Sequence, residues 1–255
     1  MSSGIRIVLP YRPFPPESDL HKELADFDWI AAIRMLTHTA QLTCRCPVHV
    51  ITDVDTDLPV PALKYETRHR RLMLWNLEVC LKYLESPDFD RDTIVMDSDQ
   101  LIYQDLAPWF IPRVDYAVCI RRDNHRHDKS VPRLNILNGV QWLPKKGRKH
   151  LQRFYREALA LAETLPEDRI VWGADTDALQ LLLEPLEVGI TYRRGMWIRM
   201  VNSQEVIEAL SERHIQGLSN GEVPWPVRPV MDFRHFRKPR MAPYYKATIL
   251  AQAVA

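Results

Sequence analysis

Thr93-Ile94-Val95-Met96-Asp97-Ser98-Asp99 is the stretch that decides how this chain is read. The first four residues form an apolar run of strand length, and its β-branched members favour the extended backbone. A buried strand that ends in two acids one residue apart has placed charge where a core needs none. An ionised carboxylate is costly to bury unless it is paired or metal-bound. Two hard oxygen donors at a strand end suit Mg2+ or Mn2+, and such an ion suits a diphosphate. The competing reading is that the two acids simply open a turn.

Outward from this stretch the chain alternates strands with helices. Upstream, Arg70 to Tyr83 carries apolar residues at helical spacing, and Ser86-Pro87-Asp88 turns it into the strand. Ile5 to Leu9 reads as a first strand stopped by Pro10 and the proline-rich stretch Pro13 to Pro16, Asp26 to Gln41 as a helix, and Val48 to Thr52 as a strand ending at Asp53. Downstream, Tyr116 to Ile120 and Val140 to Leu143 read as strands. Helices are expected at about 149–164 and 176–183, the latter with Asp175 as its N-cap. This alternation predicts an α/β fold with a mostly parallel sheet covered on both faces, whose ligands lie beyond the carboxyl ends of strands. Asp53 and Asp97 both stand at such ends. The chain from about Met200 onward is less regular and reads as a C-terminal extension (about 201–255) on a core of about 1–200, the whole forming one domain.

Composition narrows the function classes. With 255 residues, 46% hydrophobic and 26% charged, the chain has the make-up of a soluble globular domain. No apolar run approaches the roughly 18 residues of a membrane span, and the opening MSSGIRIVLP lacks a signal-peptide core, so the expectation is a cytoplasmic protein without a membrane partner. Cys44 and Cys46 form a lone CxC. Without a second pair they read, with Cys80 and Cys119, as reduced and packed thiols. A net charge of +1 argues against a globally basic nucleic-acid binder. Basic clusters nevertheless recur at Arg68 to Arg71, Arg121-Arg122, His125 to His127, Lys145 to His150, Arg193-Arg194 and Arg234 to Arg240. Gathered on one rim they would make a local positive field; scattered, they are solvated surface.

Taken together, the basic helix start, the Leu-x-x-Trp of Leu72 to Trp75, the DxD and the following Gln100 to Phe110 resemble glycosyltransferase family 8 and its glycogenin-like relatives. There a run of this form carries the donor site. Three further segments resemble the family in the same order across roughly residues 65–240. They are Leu137-Asn138-Gly139-Val140, Asp175-Thr176-Asp177 with Thr where the family has Gln, and His235-Phe236-Arg237-Lys238-Pro239, shortened and without the usual Gly.

The resemblance implies a GT-A, Rossmann-like fold and a UDP-sugar donor. It implies Mn2+ or Mg2+ held by Asp97, Asp99 and His235, with Lys238 on the diphosphate. Arg71 matches a basic donor-binding position, with Arg68 and Arg70 as rivals. Asp175 and Asp177 stand where relatives place a carboxylate near the transferred sugar, and Asn138 where the sugar is hydrogen-bonded. Tyr11, Arg12 and Asp53 fall where relatives bind base and ribose. Family members retain anomeric configuration, which the altered Thr176 and Asn138 segments only weakly carry over.

For the acceptor two expectations stand. One is a carbohydrate or lipid-linked sugar. The other is DNA bearing hydroxymethylated pyrimidines, as in phage-type base glycosylation, including enzymes associated with TET-like oxygenases. A duplex base must be flipped out to be reached, which calls for basic and aromatic residues at the mouth. Arg122, Arg126, Lys145, Lys146 and Trp197 are of those types. A non-enzyme alternative, a sugar-nucleotide- or nucleic-acid-binding protein with a decayed site, is opposed by the intact Asp97, Asp99 and His235.

Overall fold

Ile7 and Leu9 point to one side of the first strand and Val8 to the other, yet all three are fully buried. A strand so placed needs helices on both faces, and the chain supplies them. The computed structural model describes residues 4–14, 28–98, 100–102, 105–123, 133–166, 173–183, 189–202 and 230–232. In chain order these give β1 (Ile5–Pro10), α1 (Trp29–Thr43), β2 (Val48–Asp53), β3 (Ala62–Tyr65), α2 (Leu72–Glu85), β4 (Asp92–Met96), β5 (Gln100–Ile102), β6 (Tyr116–Asp123), β7 (Arg133–Leu143), α3 (Arg148–Glu163), α4 (Ala174–Leu183), β8 (Gly189–Arg193), β9 (Met196–Asn202) and β10 (Val230–Asp232).

Eight strands form one sheet in the order β3-β2-β1-β4-β7-β6-β9-β8. Six run parallel to one another, and β7 and β8 run against them. The expectation of a mostly parallel α/β sheet is met. One face carries α1, whose Ile33, Leu36 and Ala40 pack with Ile7, Leu9, Ile94, Met96 and Trp142. The other carries α2, α3 and α4, whose Trp75, Tyr83, Phe154 and Leu179 pack with Val8, Val95, Val118 and Ile198.

Local chemistry explains the boundaries. Asp28 caps α1 by accepting from the Ala31 amide at 2.9 Å. Helix α2 begins at Arg71 without a side-chain cap, and its entry loop is instead held from two sides. The buried Glu78 carboxylate accepts from the amides of Arg68 and His69 at 2.9–3.1 Å, while the Arg12 guanidinium donates to the carbonyls of His69 and Arg70. Asp175 lies inside α4 rather than before it, so it is a first-turn acid and not the N-cap read from the sequence. The β8–β9 hairpin turns on Arg194 and Gly195, at φ of 50° and 81°. Successive positive φ values are those of a type I′ turn, which glycine eases.

All four cysteines are buried free thiols. Among the described residues no helix is long and apolar enough to cross a membrane.

Candidate active site

In the sheet order the chain moves from β1 outward to β2 and β3, then returns to the other side of β1 with β4. The crevice between the carboxyl ends of β1 and β4 is therefore a topological switch point, the usual ligand position in open α/β sheets. A cleft opens there, with about 520 Å3 of atom-free space when its open mouth is included.

Each wall comes from a different element. Pro10 ends β1 and Tyr11 and Arg12 follow it, and Asp97 and Ser98 follow β4. The first turns of α2 contribute Leu72, Met73, Trp75 and Asn76, and Phe14 and Trp29 close the remaining side. Phe14 meets Trp29 edge-on with ring centres 5.1 Å apart, and Tyr11 lies 6.1 Å from the same indole. The cleft thus has an aromatic wall and, across it, a carboxylate. Burial, with Asp28 adding, pushes the Tyr11 phenol above its ordinary value, so Tyr11 is neutral at physiological pH.

Asp97 is exposed, its amide donating to the Gly139 carbonyl at 3.1 Å. Gly139, in the antiparallel β7, makes room for the acid. A methyl there would stand 2.8 Å from Asp97 Oδ2 and would overlap Gln100 Nε2. The segment expected to carry Asn138 therefore does run beside the acid, although only the backbone of Asn138 is described. Asp97 is an accessible strand-end carboxylate of the kind a divalent cation takes, and among the described residues no group of three His, Cys, Asp or Glu side chains stands together as a metal site. Asp99, His235, Lys238 and Arg126 lie outside the described residues. Strand β10 nonetheless pairs antiparallel with β5, setting Asp232 opposite Gln100. Strand β10, which ends three residues before His235 in the sequence, thus pairs with the strand that begins three residues after Asp97.

Arg12 and Asp53 are joined below the cleft. Arg12 Nη1 stands 3.6 Å from Asp53 Oδ2, both side chains nearly buried, and the guanidinium lies over the Trp75 ring at 4.8 Å. Asp53 also accepts from Trp75 Nε1 at 2.5 Å and from the Thr67 hydroxyl. Burial lowers the Arg12 value, and the Asp53 carboxylate pulls against that shift. Of the expected base and ribose residues, Tyr11 and Arg12 line the cleft, whereas Asp53 sits beneath it with its oxygens occupied. Arg71 is exposed at the start of α2, next to the wall residue Leu72.

Asp175 is 4% exposed, and Asn76 Nδ2 donates to its Oδ2 at 2.7 Å. Asp177 is exposed one position past Thr176. Burial pushes the Cys80 thiol well up, and both Asp175 and Asp97 add to that push.

The expected acceptor residues do not gather at the cleft. The Lys145 amide donates to Asp92 Oδ1 at 2.8 Å, and Asp92 begins β4, whereas Asp97 follows its end. Five strand residues separate the two levels by about 16 Å. Lys146 follows Lys145, and Trp197 enters β9 beside the start of β6, at the same far end. Arg122, near the carboxyl end of β6, lies toward the Asp97 end of the sheet.

Phe14, Trp29, Asn76 and Ser98 are not marked as site residues by the sequence pattern, and Trp75, at helical spacing among leucines, has the pattern of a core residue. Trp75 is both, being 1% exposed and yet part of the cleft wall. The available signal was the clustering of aromatics just after β1 and just before α1.

No known family's sequence pattern matches this chain, and none of the curated proteins matches it. Among solved structures, the glycosyltransferase GlyE of Streptococcus pneumoniae TIGR4 in its apo form is similar at a TM-score of 0.51 and 11% identity, over 97% of this chain and 60% of that one. A second GlyE structure gives 0.51 and 9% over the same shares. A glycosyltransferase involved in the glycosylation of the major capsid of PBCV-1 is matched at 0.43 and 13%, over 78% of this chain and 80% of that one. The chain spans 60% of the length of GlyE. The fold is one that glycosyltransferases use.

Proposed function

We propose that this chain is a metal-dependent glycosyltransferase that binds a UDP-sugar in the cleft at the ends of β1 and β4. One observation carries the reading. An exposed strand-end carboxylate, Asp97, packs against Gly139 at the switch point and shares its cleft with an aromatic wall. Asp97, with Asp99 and His235, would hold Mn2+ or Mg2+. When bound, the ion supplies Lewis-acid stabilisation to the departing diphosphate. Tyr11, Phe14 and Trp29 offer flat apolar surface to the nucleoside, and Arg71 and Lys238 offer cations to the phosphates. The aromatic wall excludes water from the face opposite Asp97. Asp175 and Asp177 come from the other side of α2 toward the sugar, with Asn138 as a hydrogen-bonding partner. In transfer, the bond between the anomeric carbon and the diphosphate oxygen breaks, a bond to an acceptor hydroxyl oxygen forms, and that hydroxyl loses its proton.

The acceptor is a hydroxyl compound, with a carbohydrate favoured. Hydroxymethylated DNA would call for Lys145, Lys146 and Trp197 beside the cleft, and they stand at the other end of β4. The testing experiment is a donor screen with Mn2+, scoring UDP release with carbohydrate acceptors and with hydroxymethylcytosine DNA. Absence of both UDP release and Mn2+-dependent UDP binding would remove the reading.

A further inference from the structure

Strand β8 ends the sheet on one side, and its outer edge is built unlike the edge on the opposite side. There β3 (Ala62–Tyr65) is preceded by Pro61 and carries the exposed Lys64. Proline and lysine guard an edge strand because they discourage pairing with another chain. The centre of β8, Ile190-Thr191-Tyr192, has neither a proline nor a charge. Four large apolar side chains are exposed among the described residues, and two of them, Ile190 at 50% and Tyr192 at 58%, share one face of this strand.

The edge is also held in place. Arg153 of α3 donates to the Arg194 carbonyl in the β8–β9 turn, and the Arg194 guanidinium pairs with Glu157 of α3 at 2.9 Å. Tyr192 lies 5.0 Å from the Trp197 ring, which the Arg113 guanidinium covers at 3.9 Å. In a hairpin with a two-residue turn, the pair flanking the turn exchanges hydrogen bonds, and such pairs alternate with pairs that do not. Arg193 and Met196 flank the turn, so Arg193, Thr191 and Gly189 direct their backbone groups to β9. The N–H and C=O groups of Ile190 and Tyr192 point away from β9, and among the described residues no backbone group pairs with them.

We propose that β8 is an interface between two copies of this chain, paired antiparallel about a twofold axis through Thr191. The pleat selects this register. It sets Ile190 opposite Tyr192 of the second copy and Tyr192 opposite Ile190, so every outward N–H and C=O of the two strands finds a partner. Centring on Ile190 or Tyr192 instead leaves half of them unpaired. The exposed side chains then form two β-branched–aromatic pairs, a favourable cross-strand combination. Each Arg193 faces Gly189 of the other copy, where a β-carbon would meet nothing within 4 Å. The two Arg193 residues are thereby four positions, about 14 Å, apart. The contact is self-complementary and closes after two copies. It lies four strands from β4, about 19 Å, and does not depend on the donor-cleft reading. Because the axis reverses strand direction, the clefts of the two copies open at opposite ends of the joined sheet.

The test is sedimentation of the full chain from about 1 to 200 μM, the range in which a small interface forms and dissociates. Wild type is expected to shift from 29.9 kDa toward twice that mass as concentration rises. The double variant Ile190→Lys/Tyr192→Lys sets lysine against lysine at both pairs and is expected to stay monomeric with an unchanged circular dichroism spectrum. A wild type that is monomeric at the highest concentration overturns the inference, as does a dimer that survives the double substitution. If the variant does not fold, cross-linking decides. The four native thiols are buried, so an introduced one reacts alone. Thr191→Cys stands at the axis, where facing Cα atoms are about 4.5 Å apart and within disulfide reach. Tyr192→Cys meets its own counterpart only diagonally, about 8 Å away, which is too far. Oxidation is expected to give a covalent dimer of the first variant and not of the second, and any other pattern overturns the inference.

Discussion

Gly139 and Asp97 are neighbours across the β4–β7 pair, close enough that the acid's side chain occupies the space a β-carbon on residue 139 would take. The position of the strand-end carboxylate is therefore set by a strand that enters the sheet far later in the chain.

Gly139→Ala is expected to displace Asp97 and the buried Gln100 together. Overpacking of this kind costs about 1–3 kcal/mol, and Mn2+-dependent UDP affinity should fall by at least about tenfold. Thermal melting and calorimetry measure the two effects. A variant with wild-type affinity would mean that the contact between Gly139 and Asp97 has no bearing on binding.

Replacement of the acids themselves should separate binding from stability. Asp97 is exposed, so Asp97→Ala should change stability by no more than about 0.5 kcal/mol. The same substitution, and Asp99→Ala, should abolish metal-dependent UDP binding. Unchanged Mn2+–UDP affinity in either variant would remove that acid from the site.

Asp53→Ala should behave in the opposite way. It leaves the Arg12 guanidinium buried without its carboxylate and removes the acceptor of the Trp75 indole. Breaking one side of a buried pair costs about 3–5 kcal/mol, and urea unfolding should register it. Stability within experimental error of wild type would show that Arg12 does not depend on Asp53.

The buried thiols predict an alkaline limb of stability. Burial pushes Cys119 from its ordinary 9.0 up to about 12, and burial likewise raises Cys80, with Asp175 and Asp97 adding. A raised folded-state value means that stability is full below about pH 9, where unfolded and folded thiols are both protonated. It falls as pH rises toward 12, because the unfolded chain releases protons first. At pH 8 the native protein should react with none of its four cysteines on the timescale of a thiol reagent, and denatured protein with all four. Rapid labelling of Cys119 in native protein would refute the burial argument.

Charge reversal at Lys145 and Lys146 tests the acceptor. Because both sit at the far end of β4, the double change to Glu should leave UDP-sugar hydrolysis within about twofold, as expected for surface charges beyond a Debye length of roughly 8–10 Å. Weak, salt-insensitive association with duplex DNA should accompany it. Steep salt dependence in wild type that vanishes in the double variant would instead restore a nucleic-acid acceptor.

Much of the fold was legible because strands β1, β2, β4 and β6 and helices α1 to α4 each carry an unambiguous period. Strand β3 was missed because Ala62-Leu63-Lys64-Tyr65 is short and only half-buried at the sheet edge. The β8–β9 hairpin was missed although Met196, Ile198 and Met200 alternate with Trp197 and Arg199, since its two-residue turn is Arg-Gly rather than the commoner Asn-Gly. In the site, Asp97, Tyr11 and Arg12 were legible as strand-end residues. The pairing of Asn76 with Asp175 was not, for it depends on α4 returning beside α2. Nor was the position of Lys145, Lys146 and Trp197 at the end of the sheet away from Asp97. Periodicity gives elements, whereas the end of the sheet at which a residue falls depends on strand direction, and β7 runs against its neighbours.

The pairing of Asp232 with Gln100 also sets an order of events during synthesis. The eight-stranded sheet ends at Asn202, so a ribosome-bound chain can complete its scaffold while β5 still has an open edge. Only after Val230 to Asp232 emerge can that edge close beside Asp97. A nascent chain, or one cut before Val230, would then hold the eight-stranded scaffold with the β5 edge unpaired, so closure of that edge would report synthesis past Asp232 rather than formation of the core.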